Sequence, residues 1–487
     1  MNSKETAFDF SAPELNRDGS IERQSYRYEQ QANGTWQIFR NGKPHLTLKA
    51  GYKPYKTISC GICSTDLAKP FLPYPLPQII GHEVVVAEGQ KQFCVEINAS
   101  HEARNDHASD CPFCSHQLSS HCPERLTLGI NLLPGGFSPY LLAPKNALHK
   151  VPENIPSSVA TLAEPLAAAI QALKASPPQT GDHVAVLGPR RLGSLLLMAL
   201  ANFRKSQQLD FKISALIRHE NLQDLCINAG ADEIVMTQKL KAPSPLYDII
   251  YDTTGKPEGF EFALQLTRRE LHLKSTHGQP IDGAKRWADF VVDELALCSS
   301  PNIIQGFQWS TDQQPTKKSK IFISNHFTSK QLEDYQTQFP YFNFFQGSIQ
   351  DAFAHQLKEN FESASQLPRF DGAFITSLSE FDELLRPKPD LDYGCVRPRG
   401  WIYLPEPIPT TNLNQALKRG VKIQSSRCGP FHEALELLES HPEFVSLIES
   451  KLITHHFHLN DLQEAMTVAS NSRESLKVIV HNSTHQI

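Results

Sequence analysis

Residues 183–203, HVAVLGPRRLGSLLLMALANF, decide the fold. HVAVL is a short apolar run, GPRRLG a tight turn, and SLLLMALANF an apolar stretch of helix-forming residues. A buried strand, a turn and a helix in that order open a domain built on a parallel sheet. Downstream, KISALIRHENLQDLCINAGADEIV (212–235) repeats strand, helix, strand, and YDIIYDTTG (247–255) and ELHLKSTHG (270–278) continue the alternation. Such alternation predicts helices covering a parallel sheet over 176–300.

The turn carries Gly188, Arg190, Leu192 and Gly193. It fits a dinucleotide fingerprint in its first and last glycines, with Arg190 in place of the middle one. That middle glycine normally lets the backbone approach a pyrophosphate. Arg190 either pairs with a phosphate or blocks the approach. After the next strand, Arg218 stands where an acid would hold a ribose 2′-hydroxyl. An arginine there suits a 2′-phosphate and favours NADP over NAD, and a surface pair with Glu220 is the other reading.

Working outward, residues 46–175 hold short apolar runs broken by Pro and Gly, such as GHEVVVAEG (81–89) and GGFSPYLLAP (135–144). These predict an irregular β-rich domain. SSVATLAEPLAAAIQALKAS (157–176) reads as one helix. Residues 1–45 are polar and weakly periodic, and read as a partly ordered extension.

The stretch 301–422 alternates again, through KIFISNHF (320–327), SIQDAFAHQLKENFESA (348–364), FDGAFITSLSEFDELLRP (370–387) and RPRGWIYLPE (397–406). KISALIRHENLQDL parallels KIFISNHFTSKQLEDY, YDIIYDTTG parallels FDGAFITS, LHLKSTHG parallels WIYLPE, and ELALCSSP (294–301) parallels IQSSRCGP (423–430). The kept order points to a partial copy of the nucleotide domain. The copy lacks a glycine turn, so no second nucleotide is expected there. It would extend the sheet or cover one of its edges.

Net charge is 47 − 52 = −5 with no long basic run, which argues against nucleic acid as a partner. KKSK (317–320) reads as a solvated loop. No window has the ~18 apolar residues of a membrane helix, and the first twenty residues lack the apolar core of a secretory signal. Ten cysteines in such a chain suggest thiols and metal ligands rather than a disulfide framework, and the cytoplasm as the compartment.

Three motifs carry metal chemistry. CGICSTDL (60–67) offers Cys60 and Cys63, GHE offers His82 and Glu83, and AEPLAAA offers Glu164. A thiolate, an imidazole and carboxylates are the ligands of a catalytic zinc that keeps one position open. CPFCSHQLSSHC gives Cys111, Cys114 and Cys122, three thiolates of a structural zinc that needs four ligands. Just upstream stand His101, His107 and Asp110. A Cys3His site completed by His101 is the expectation, and an empty lobe is the alternative.

CGICSTDL, GHE, GGFSPYLLAP, EPLAAA and VLGPRRLG together resemble the zinc-dependent medium-chain alcohol dehydrogenases, in the polyol-type branch. SSRCGPFHEALELLE and LITHHFHLNDLQEAM resemble the return of that family's chain into its catalytic domain. The likeness spans 46–300 and 423–487, leaving 1–45 and 301–422 outside it. It implies an α/β fold: a GroES-like catalytic domain over 46–175 completed by 423–487, then a Rossmann-type nucleotide domain over 176–300. It implies that Cys63, rather than Cys60, binds the catalytic zinc with His82. Glu83 and Glu164 match positions that serve as ligand or water-holding acid, Thr65 the hydroxyl that relays the substrate proton, and Asp66 the acid that orients the zinc-bound imidazole. The family's lobe has four cysteines, so this chain is one short.

The implied activity is hydride transfer between an alcohol or polyol and NAD or NADP, with alcohol and carbonyl molecules as substrates. Homo-oligomers through the nucleotide sheet are common in the family. The competing readings are a zinc-binding relative without turnover and a zinc enzyme, such as a lyase, that uses no nicotinamide.

Overall fold

The structure, a computed structural model, describes residues 7–72, 74–106, 111, 113–240, 244–275, 279–300, 319–358, 369–388, 394–471 and 473–482. The chain forms two compact units, one of residues 1–167 and 429–487, the other of residues 168–428.

The first unit opens with an antiparallel meander, β1 (Ala7–Leu15), β2 (Ile21–Gln30), β3 (Trp36–Arg40) and β4 (Lys43–Leu48). This corrects the reading of 1–45 as a partly ordered extension. Tyr26 and Tyr28, and then Trp36 and Ile38, recur at every second position and are buried, while Arg27 between the first pair is exposed and Gln37 between the second half-buried. Such alternation leaves the stretch polar on average although one face of it is core. Glu14, also buried, accepts hydrogen bonds from Arg40 Nε at 2.7 Å and Nη2 at 2.6 Å, and from the Tyr26 hydroxyl.

The irregular β domain follows. Its strands are β5 (Tyr52–Gly61), β6 (Glu83–Glu88), β7 (Lys91–Val95), the short pair β8 (Asn98–Ala99) and β9 (Leu126–Thr127), β10 (Tyr140–Pro144) and β11 (Leu148–Lys150). The strands that the numbering of the whole chain makes β23 (Ile453–His458) and β24 (Lys477–His481) come back from its far end. The larger sheet runs β11-β7-β6-β5-β24-β23, with β10 also on β5. The stretch read as one helix over 157–176 is two, Ser157–Ala160 and Ala163–Ala175.

The second unit is built on β12 (His183–Leu187), β13 (Lys212–Ile217), β14 (Glu233–Met236), β15 (Tyr247–Asp252), β16 (Thr267–Leu273), β17 (Ala296–Cys298), β18 (Ser319–Ser324), β19 (Phe342–Gly347), β20 (Phe370–Phe374), β21 (Val396–Tyr403) and β22 (Lys422–Ser425). They form one sheet in the order β14-β13-β12-β15-β16-β22-β17-β21-β20-β18-β19. Neighbours are parallel except at β17·β22, which is antiparallel. Val184, Ala185, Val186, Ile213, Ile249 and Ile250 are inaccessible, as strands covered on both faces require. Among the described residues no helix is long and apolar enough to cross a membrane.

Candidate metal centres and nucleotide turn

Cys63 follows β5 and precedes the helix Ser64–Ala68, while His82 and Glu83 stand at the start of β6. The β5·β6 pairing sets Gly61 opposite Glu83, which brings these three side chains together. Their ligand atoms lie within 4.8 Å of one another. Gly81, at φ +99°, makes the bend before His82, and a Cβ there would meet Cys60 Sγ and a Phe137 ring carbon at 2.8 Å. Cys60 is therefore a packed neighbour, and burial pushes its thiol far above the ordinary value.

Asp66, 1% exposed, ties the site together. Its Oδ2 accepts from the Cys63 N–H at 2.9 Å, its Oδ1 from the Gly81 N–H at 3.3 Å, and His82 Nδ1 lies 3.4 Å from Oδ1. Burial alone would raise the Asp66 carboxyl, but the charge and hydrogen bond of His82 hold it below its usual range. With Nδ1 turned to this carboxylate, the other imidazole nitrogen is the one left for a metal. Thr65 Oγ1 is 3.7 Å from Cys63 Sγ.

Two acids differ from each other. Glu83 is buried and its Oε2 is engaged by Lys477, whose Nζ also donates to Ile62 O at 3.0 Å. Glu164, in the first turn of Ala163–Ala175, is half-buried and outside the 4.8 Å group. Lys477 was invisible to sequence reading because it lies 394 residues from its partner.

The second cluster joins His101, Cys111, Cys114 and Cys122, all buried, with ligand atoms within 4.8 Å of one another. Cys122 Sγ is 3.3 Å from His101 Nδ1, and His101 Nε2 is 3.3 Å from Glu124 Oε2. The Cys122 thiol is pushed down to about 5, first by the hydrogen bond from Cys114 and then, after the opposing effect of burial, by His101, while the Cys114 thiol is pushed up. One thiolate beside an imidazole is the start of a metal-binding set. His107 and Asp110 lie outside the described residues. Both donor sets suit zinc: mixed S, N and O at the first, S3N at the second.

At the nucleotide turn, Gly188 follows β12 at φ +74°, and its N–H donates to Leu216 O at 3.1 Å. The 16-residue helix Arg191–Ser206 starts beyond it with Arg190 as its half-buried N-cap, and Leu192 and Gly193 in its first turn. A Cβ on Gly193 would meet Thr253 Oγ1 at 2.8 Å, so this glycine lets helix and sheet close together. Thr253 Oγ1 donates to Leu187 O and Gly188 O, both at 2.9 Å, which fixes the turn from β15. Arg218 is exposed just beyond β13, and among the described residues no ion pair joins it to Glu220.

Residues 56–153 match the alcohol dehydrogenase GroES-like domain. An alcohol dehydrogenase of Geobacillus stearothermophilus is 31% identical over 238 residues, 46% of this chain and 68% of that one. A sorbitol dehydrogenase of Halalkalibacterium halodurans is 29% identical over 170 residues, covering 34% of this chain and 49% of its own. Among solved structures, an alcohol dehydrogenase from Thermotoga maritima superposes with a TM-score of 0.54 at 14% identity, over 98% of this chain and 100% of that one. L-Idonate 5-dehydrogenase from Escherichia coli gives 0.52 at 14% over the same shares. A GroES-like β domain followed by a Rossmann-type sheet is thus the architecture. The chain belongs to the zinc-type medium-chain alcohol dehydrogenase family.

Proposed function

We propose that the protein is a zinc-dependent oxidoreductase that transfers hydride between an alcohol or polyol and a nicotinamide dinucleotide. The convergence of Cys63, His82 and Glu83 around a buried, Asp66-backed imidazole carries this reading. Cys63 and His82 would hold the zinc, with Glu83 or Glu164 as third ligand or as the acid that holds a water. Zinc, when bound, polarises an alcohol oxygen and lowers its pKa. Asp66 keeps the His82 ring in one orientation and one tautomer. Thr65 Oγ1, beside the ligand sulfur, takes the hydroxyl proton and passes it outward. The turn at Gly188 and Gly193, with Arg190, would take the pyrophosphate, and Arg218 a 2′-phosphate.

Support from outside the chain comes from the dehydrogenase relatives and from a zinc-binding dehydrogenase of Sinorhizobium meliloti solved with NADP, whose likeness at 15% identity speaks for the fold. The test compares Cys63→Ser with Cys60→Ser. The first should lose the catalytic zinc by metal analysis and all NADP-linked alcohol oxidation, and the second should keep both. Equal loss in the two would return the motif to a two-cysteine site.

A further inference from the structure

The sheet of the second unit counts outward from its one antiparallel junction, β17·β22, where Ala296 faces Gln424 and Leu297 faces Ile423. On one side stand β22, β16 and β15, and on the other β17, β21 and β20. Beyond these the first half adds β12, β13 and β14, and the second only β18 and β19. The likeness of KISALIRHENLQDL to KIFISNHFTSKQLEDY aligns β18 with β13, so the strand without a counterpart is β12, the one that carries the Gly188 turn.

The two strands at the junction have changed places. In chain order β17 follows the first half, yet it pairs with β21; β22 follows the second half, yet it pairs with β16. The helices before them lie across the junction and touch both halves. Trp287 of helix Trp287–Val292 meets Phe260 of the first half at 4.9 Å and Phe381 of the second at 5.0 Å, Phe290 meets Phe381 at 5.8 Å, and Asp382 accepts from the Lys285 and Arg286 N–H groups at 2.8 and 3.0 Å. In return, Arg419, just past helix Asn412–Lys418, donates to Leu264 O of the first half at 2.8 Å, and Asp282 accepts from the Leu413 N–H at 2.6 Å. The junction is bonded from both sides: Ser425 Oγ to Leu295 O at 3.0 Å, and the Ser299 hydroxyl to Leu417 O.

We infer that the segment spanning β18 to β22 is an internal partner: a second nucleotide-type half-sheet that exchanges its last strand with the first, as two subunits exchange elements across a two-fold axis. The occupant of the sheet edge is the chain itself. The likeness of ELALCSSP to IQSSRCGP explains how each strand can serve the other's place. The second half is a partner and not a second binding domain. In the crevice at the carboxyl ends of β18 and β20, the Glu380 carboxylate accepts from the Thr376 N–H at 2.6 Å, from Thr376 Oγ1 at 2.7 Å and from the Ser324 hydroxyl. Those donors are therefore already taken by a side chain of the segment itself, and His326 Nδ1 lies 3.3 Å from Glu380 Oε1.

The test is the double variant Ala296→Cys/Gln424→Cys in the full chain, oxidised and run without reductant, with the bond mapped by peptide mass. A 296–424 bond in protein that migrates as a single chain is expected. A 296–424 bond joining two chains would show that the exchange runs between copies and overturn the proposal, and so would a folded variant in which no bond forms. If that variant does not fold, Leu297→Cys/Ile423→Cys reads the same contact with the same outcomes.

Discussion

Asp252 ends β15, buried, with Oδ1 accepting from the Thr254 N–H at 2.8 Å and Oγ1 at 2.6 Å. Burial outweighs these bonds and pushes its carboxyl up to about 6, from an ordinary 3.8. The folded chain therefore holds this proton more tightly than the unfolded one. Its contribution to stability is complete below pH 3.8 and is lost as the pH rises through about 6. The difference is worth about 3 kcal/mol. Asp252→Asn, which keeps the acceptor oxygen, should be more stable than wild type at pH 7 by up to that amount and should match it near pH 4. Urea midpoints at the two pH values check this. Arg218 supports a second prediction: NADP should bind more tightly than NAD, and Arg218→Ala should narrow the gap in a fluorescence titration. Cys63 and His82 were legible because ligand types and spacing are written locally. Lys477 was not, since it meets Glu83 only through the pairing of β24 with β5, and Glu124, two residues past Cys122, is an acid that no ligand spacing singles out.

At the scale of elements, four possible metal ligands are drawn together from 101–122, with Glu124 on the far side of the His101 ring. Purified protein should carry about two zinc ions per chain, one of them resistant to mild chelation. His101→Ala should leave the first zinc in place and release the second. The N-terminal meander makes a different claim. Removing Arg40 leaves the Glu14 carboxylate buried beside a neutral hydroxyl, so Arg40→Met should cost about 3 kcal/mol in chemical denaturation. The strands of the second unit were readable because parallel strands are apolar throughout. The meander was not, because period-two alternation with charged outward residues looks like a polar stretch until its partner strands are known.

For the molecule as a whole, the echo between 212–278 and 320–404 told of a second half, but not that the halves trade strands, since the two traded segments look alike in sequence. The trade has a consequence for synthesis. Glu270 of β16 pairs with Lys422, so the first half-sheet waits for about 150 further residues before its own edge is closed. At ~5–20 residues per second the wait is roughly 8–30 s on the ribosome. For most of it β17 is already made and is free to lie against β16, a contact it must later give up. Chains stalled after about residue 345 should show β17 protected from hydrogen exchange beside β16, and released chains should show a slow step, set by the long sequence separation of the final pairs, as β22 displaces it.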